Sequence, residues 1–149
     1  MPIGDPMGGE IDRLDKGKLT RVWITAFPVS NLNDALEFYT EVLGLPVQLD
    51  SRENNWIELG RDEPHEKLAL YVPSIHDKRQ PGGDTGIVFE TDNIYELHRK
   101  LVDEGVEFKL KPQRQLWGGL MTIFLDPDGN ELTVVEDPEH YTRTNPTPR

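Results

Sequence analysis

The sequence predicts an α+β fold in which two βαβββ modules form a curved mixed-sheet cup with a helix behind each sheet. Two observations carry this prediction. The order strand, helix, strand, strand, strand occurs twice along the chain, and each helix ends at a glycine followed by another strand. Aligning Gly44 on Gly105 also superposes Leu36 on Leu97, Val47 on Phe108 and Leu49 on Leu110. One helix with four strands of this length cannot bury both faces of its sheet, whereas two such units side by side can.

Leu19–Val29 is rich in β-branched and aromatic residues and reads as the first strand. Leu32, Ala35, Leu36, Tyr39, Val42 and Leu43 then fall on one helical face. Asn31 or Asn33 caps the start of this helix, and Gly44 ends it in a left-handed turn. Pro46–Arg52, Asn55–Gly60 and Lys67–Val72 complete the first module as strands. Pro81-Gly82-Gly83-Asp84 reads as a linker. In the second module Gly86–Thr91 is a strand. Ile94, Leu97 and Leu101 mark a helix capped by Asp92 and closed by Gly105, and Val106–Lys111, Leu120–Leu125 and Glu131–Val135 are strands. Asp126-Pro127-Asp128-Gly129-Asn130 is a hairpin turn: proline presets φ, and glycine accepts the positive φ that a Cβ resists. The expected organisation is an N-terminal tail at 1–18, a domain at 19–136 and a C-terminal tail at 137–149. The domain divides into module one at 19–75, a linker at 76–84 and module two at 85–136. Neither tail has apolar periodicity, so both are expected to be mobile.

Composition narrows the function classes. The 149 residues suffice for one domain with a real core. With no cysteine, the chain has no disulfide, thiolate metal site or thiol nucleophile. A formal charge of −11 repels phosphate backbones, so nucleic acid is not the expected partner. No apolar run approaches the roughly 20 residues of a membrane helix, and the N-terminus lacks the apolar stretch of a signal peptide. The expectation is a cytoplasmic protein with no membrane contact.

Val29-Ser30-Asn31-Leu32, Leu36-Glu37-Phe38-Tyr39 and Val42-Leu43-Gly44-Leu45 resemble the first-module signature of the glyoxalase/bleomycin-resistance/dioxygenase (vicinal oxygen chelate) superfamily. Gly86-Ile87-Val88-Phe89-Glu90-Thr91-Asp92 resembles the start of its second module. Trp117-Gly118-Gly119 and the Asp126–Asn130 turn resemble its closing hairpin. The resemblance implies a cup between the modules. In metal-dependent members, the cup holds a divalent cation on His, Gln or Glu side chains, two from each module. It places the ligand positions at Ile24, at Ala69 or Tyr71, at Gly86 and at Thr133. None of these suits a divalent cation, so no metal or other cofactor is expected, with a divalent metal as the alternative. The four histidines do not make up the loss: His65 and His76 flank the fourth strand, His98 lies beside the apolar stripe of the second helix, and His140 is in the tail.

A cup without metal remains a concave apolar space with a few polar groups. Its expected lining is Ile24, Trp56, Tyr71, Arg114, Trp117, Met121 and Thr133, with aromatic rings to stack on a planar guest. Among the cup-side carboxylates Glu58, Glu90 and Glu131, Glu58 is the candidate general base. The preferred function is sequestration of a small organic molecule, as in the bleomycin-resistance branch. One alternative is a glyoxalase-like lyase or isomerase, or a dioxygenase, using a divergent metal site or a carboxylate base. Another is a ligand-free interaction module. A homodimer is expected from the resemblance alone.

Overall fold

A computed structural model describes residues 16–61 and 66–137. The tail expectations at 1–15 and 138–149 lie outside them, as do His65 and His140. The described chain forms two four-stranded mixed sheets. Module one contains β1 (Thr25–Pro28), α1 (Leu32–Glu37), β2 (Val47–Ser51), β3 (Trp56–Arg61) and β4 (Glu66–Tyr71). Module two contains β5 (Gly83–Glu90), α2 (Ile94–Asp103), β6 (Phe108–Arg114), β7 (Leu120–Leu125) and β8 (Asn130–Glu136). The sheet orders, β1-β4-β3-β2 and β5-β8-β7-β6, are the same pattern repeated. In each, the first strand of the module pairs in parallel with the last and the other pairs are antiparallel.

Strand alternation separates two faces. Phe27, Ile57, Leu59, Leu68, Leu70, Ile87, Phe124, Leu132 and Val134 are buried together with Ala35 and Tyr39 of the first helical segment and Leu101 of α2, in one core that spans both modules. The alternate residues, among them Trp56, Glu58, Ala69, Tyr71, Val88, Met121 and Thr133, lie on the opposite face. Asn31 caps α1 by accepting from the Asp34 amide at 2.9 Å. The α-helix is shorter than its apolar period suggests, because Phe38–Val42 continues it as a π-turn. Phe38 and Tyr39, adjacent in sequence, are both drawn toward the sheet, with ring centroids 5.2 Å apart.

Several boundaries differ from the sequence expectation, and four have a physical cause. The strand expected from Leu19 begins at Thr25. Thr25 pairs with Leu68 and β4 starts at Glu66, so Leu19–Val22 run past the end of their partner strand. The linker is shorter than expected because β5 starts at Gly83, where Gly83 and Asp84 already pair with Asn130 and Glu131. Asn93 caps α2 instead of Asp92, accepting from the Glu96 amide. The sixth strand starts at Phe108, not Val106, because the Val106 amide bonds to the Leu101 carbonyl in the closing turn of α2.

Candidate functional site

β1 and β5 are edge strands of their sheets, and the seam where the two modules adjoin differs between its two ends. At one end the β7–β8 turn of module two docks on module one. Asp126 is buried, and its Oδ1 accepts from the Asp128 and Asn130 amides, each at 2.9 Å. Its Oδ2 accepts from Tyr39 Oη at 2.7 Å and from Asn130 Nδ2 at 2.8 Å. Asn130 Nδ2 also donates to the Pro28 carbonyl, and Asp128 accepts from the Ser30 amide and hydroxyl. Burial, with the Asp126 carboxylate beside it, raises the Tyr39 phenol well above its usual titration range. Tyr39 therefore stays a neutral donor.

At the other end the seam opens into a cleft of about 550 Å³, within the usual size of a small-molecule site. One wall is the stretch Val22–Thr25 leading into β1, and the opposite wall is Gly86–Glu90 of β5. Apolar side chains dominate these walls. The polar lining is Thr25, Arg61, Glu66, Lys67 and Glu90. Gly86 has φ +77°, a conformation unfavourable to a residue with a Cβ, and it lies where β5 slips register against β8 between Asp84 and Val88.

Lys67, the second residue of β4, lines the cleft, and its ammonium lies 3.3 Å from Glu58 Oε1. Both side chains are at most 10% exposed. The other carboxylate oxygen of Glu58 accepts from Trp56 Nε1 at 2.9 Å. Trp56 stacks on Tyr71 at 6.4 Å. Just before it, Asn55 adopts φ +59°, with its side-chain amide clasped by the Val72 backbone in both directions. Lys67 Nζ also lies 5.7 Å from the ring centroid of Trp23, which stands half exposed at the cleft.

The residues expected to line one cup fall in three places. Ile24 lines the cleft. Trp56, Glu58 and Tyr71 form the cluster behind Lys67. Arg114, Trp117, Met121 and Thr133 belong to module two and are not among the residues lining the cleft. Arg114 is exposed and donates to the Gly118 carbonyl at 2.6 Å. The Trp117 ring lies against Gly119, where a Cβ would come within 1.8 Å of it. Met121 pairs with Val135, and Thr133 with Val88 and Ile123. The sequence reading missed Lys67, although the alternation that places Ala69 and Tyr71 on this face also places Lys67 there. It missed Trp23 because the short β1 ladder breaks the alternation there.

The metal positions implied by the resemblance do not fit a divalent cation. Ile24 and Ala69 are aliphatic, Tyr71, the alternative to Ala69, is a phenol stacked with Trp56, and Gly86 has neither a donor nor a backbone conformation that readily accepts one. Thr133 offers a hydroxyl. Among the described residues no three His, Cys, Asp or Glu side chains are grouped to hold a metal ion. No helix among these residues is long and apolar enough to cross a membrane.

The Glyoxalase model, described as the Glyoxalase/Bleomycin resistance protein/Dioxygenase superfamily, matches residues 21–134. The chain is 28% identical over 121 residues to uncharacterized protein YetH of Bacillus subtilis (strain 168), covering 79% of this chain and 99% of that one. A superfamily member from Sphaerobacter thermophilus is 34% identical with TM-score 0.73, over 80% of this chain and 98% of that one. TnmS3, an antibiotic binding protein from Streptomyces sp. CB03234, is 24% identical with TM-score 0.70, over 81% of this chain and 98% of that one.

Proposed function

Because the chain belongs to the glyoxalase/bleomycin resistance/dioxygenase superfamily, we propose that it is a metal-independent binding protein that sequesters a small organic molecule in the cleft between its modules. The observation that carries this reading is the replacement of the expected metal ligands by Ile24, Ala69 or Tyr71, Gly86 and Thr133. Ile24 and Gly86 lie on the wall of the 550 Å³ cleft, and Gly86 sits in a left-handed bulge that a histidine would strain. TnmS3 shows that this fold can serve antibiotic binding; its identity to this chain supports the fold and leaves the ligand to experiment. Glu58 acts in this reading as an anchor for Lys67, since both of its oxygens are engaged. The protein is proposed to work in the cytoplasm as a homodimer, so light scattering is expected to give twice the 17.0 kDa chain mass.

The test is a thermal-shift screen of small aromatic compounds on chelator-treated protein, beside nickel, zinc, manganese and iron. A compound present at a hundred times its Kd adds about 2.7 kcal/mol to native stability. The expected result is a raised melting temperature with organic compounds, unchanged by chelator and lost in the cleft-filling variant Val88→Trp. Stabilisation by a divalent cation, with none by any organic compound, would overturn the reading.

A further inference from the structure

We infer that the cleft selects an uncharged, planar, conjugated molecule whose carbonyl oxygen accepts a hydrogen bond from Lys67 while its ring system lies against Trp23. This rests on the proposed binding function and specifies its ligand class. Three observations support it.

First, the deep polar feature of the cleft is an ammonium held from behind. Glu58 is fixed by Trp56 and in turn holds Lys67, so the Lys67 head group is anchored on this side before any ligand arrives. Burying such a pair confers little stability compared with apolar side chains of the same volume. Its placement on a binding wall gives it a use in orientation. Second, the two cations and two anions that line the cleft balance, and the nearly buried Glu58 adds one negative charge. Arg61 and Lys67 face Glu66 and Glu90 around the same space, with Glu58 behind. A fully charged guest of either sign therefore meets a like charge, and the −11 of the whole chain adds a further bias against anions. A carbonyl dipole can accept from Lys67 without upsetting that balance. Third, the wall beside Lys67 is an indole that remains half exposed in the folded chain, opposite Val88 and Phe89. A flat ring system covers such a surface with little loss of its own freedom.

The experiment follows the quenching of tryptophan fluorescence by three probes. They are xanthone, xanthene (which lacks the carbonyl) and xanthone-2-carboxylate. The inference expects xanthone to bind about tenfold more tightly than either analogue, as for one hydrogen bond to a charged donor. Trp23→Leu is expected to weaken xanthone by a similar factor. Lys67→Met is expected to remove the preference for xanthone over xanthene. Because that change leaves Glu58 without its ammonium, Glu58→Gln/Lys67→Met is measured beside it as a variant with neither charge, and it too is expected to lose the preference. Equal affinity for xanthone and xanthene, tighter binding of the carboxylate, or a preference that survives in the double variant overturns the inference. Binding of none of the three also overturns it. The broader reading falls only on its own screen, so a protein that ignores these probes yet is stabilised by other compounds in a Val88-dependent way separates the two failures.

Discussion

The closed and open ends of the intermodule seam use the same kinds of side chain for opposite purposes. At the closed end a buried carboxylate, Asp126, has four hydrogen-bond donors from the turn and from module one, and the two modules are fixed to each other. At the open end a nearly buried carboxylate, Glu58, has two side-chain donors within its own module, and one of them faces a cleft. The difference sets a carboxylate that joins the two modules against one that holds a cation beside a cleft. Breaking the closed end should therefore destabilise the whole domain, whereas changes at the open end should alter binding and cost less.

The largest effect is expected at Asp126. Asp126→Ala removes the acceptor from the Tyr39 hydroxyl, the Asn130 amide group and two backbone amides at once, leaving buried donors without partners. A loss of about 4 kcal/mol in urea unfolding is expected. A loss under 1 kcal/mol would mean that the turn is not what joins the modules, and the comparison would fail.

Next comes the buried pair. Glu58→Gln removes the carboxylate charge set against the nearly buried Lys67 ammonium and is expected to cost about 2–3 kcal/mol. Adding Lys67→Met removes the remaining charge, and the double variant should recover at least half of that loss. A double variant less stable than Glu58→Gln would show that the pair contributes to stability in its own right, and the argument from orientation would lose its basis.

The sequence carries much of this architecture and little of the seam. Alternation in Lys67–Val72 correctly sends Leu68 and Leu70 to the helix, and the Asp126–Asn130 turn announces the hairpin that closes module two. These are local signals, read within a few residues. The Tyr39–Asp126 and Ser30–Asp128 contacts join residues 87 and 98 positions apart, and nothing local marks them as partners. The meeting of Glu58 with Lys67 depends on the register of β3 against β4, which pairs Glu58 with Ala69 and brings Lys67 two residues along the same face. Strand patterning alone leaves that register open. The conformation of Gly86 depends on a bulge, and a lone glycine in a strand signals one only weakly.

A smaller, pH-dependent effect isolates one bond of the closed end. Tyr39→Phe deletes a single donor to Asp126 and is expected to cost about 1–2 kcal/mol at neutral pH. The folded-state titration of Tyr39 is raised, so the contribution of its phenol is complete below the unfolded value near 10 and declines as pH rises above it. Above pH 10 the unfolded chain releases this proton and the folded chain does not. The wild type therefore loses up to about 1.4 kcal/mol per pH unit that Tyr39→Phe does not lose. The stability difference between the two proteins should be flat from pH 6 to 9 and should narrow above pH 10. A difference that stays constant to pH 11 would place the phenol in contact with water and loosen the closed end.

The smallest change tests the open end alone. At Gly86 a Cβ meets nothing within 4 Å, so Gly86→Ala adds no clash; its cost comes from holding a residue with a Cβ at φ +77°. That strain is about 1 kcal/mol. Unfolding midpoints should register this small loss. If the loss instead approaches that of Asp126→Ala, the β5 bulge shares in holding the modules together and the division between a fixed end and an open end disappears. If there is no loss at all, β5 relaxes around the substitution and the bulge is not a fixed part of the cleft wall. A loss near 1 kcal/mol, with the melting-temperature response to bound aromatic compounds altered, separates the two ends: fourfold less stability at stake, and the effect on binding found where the seam is open.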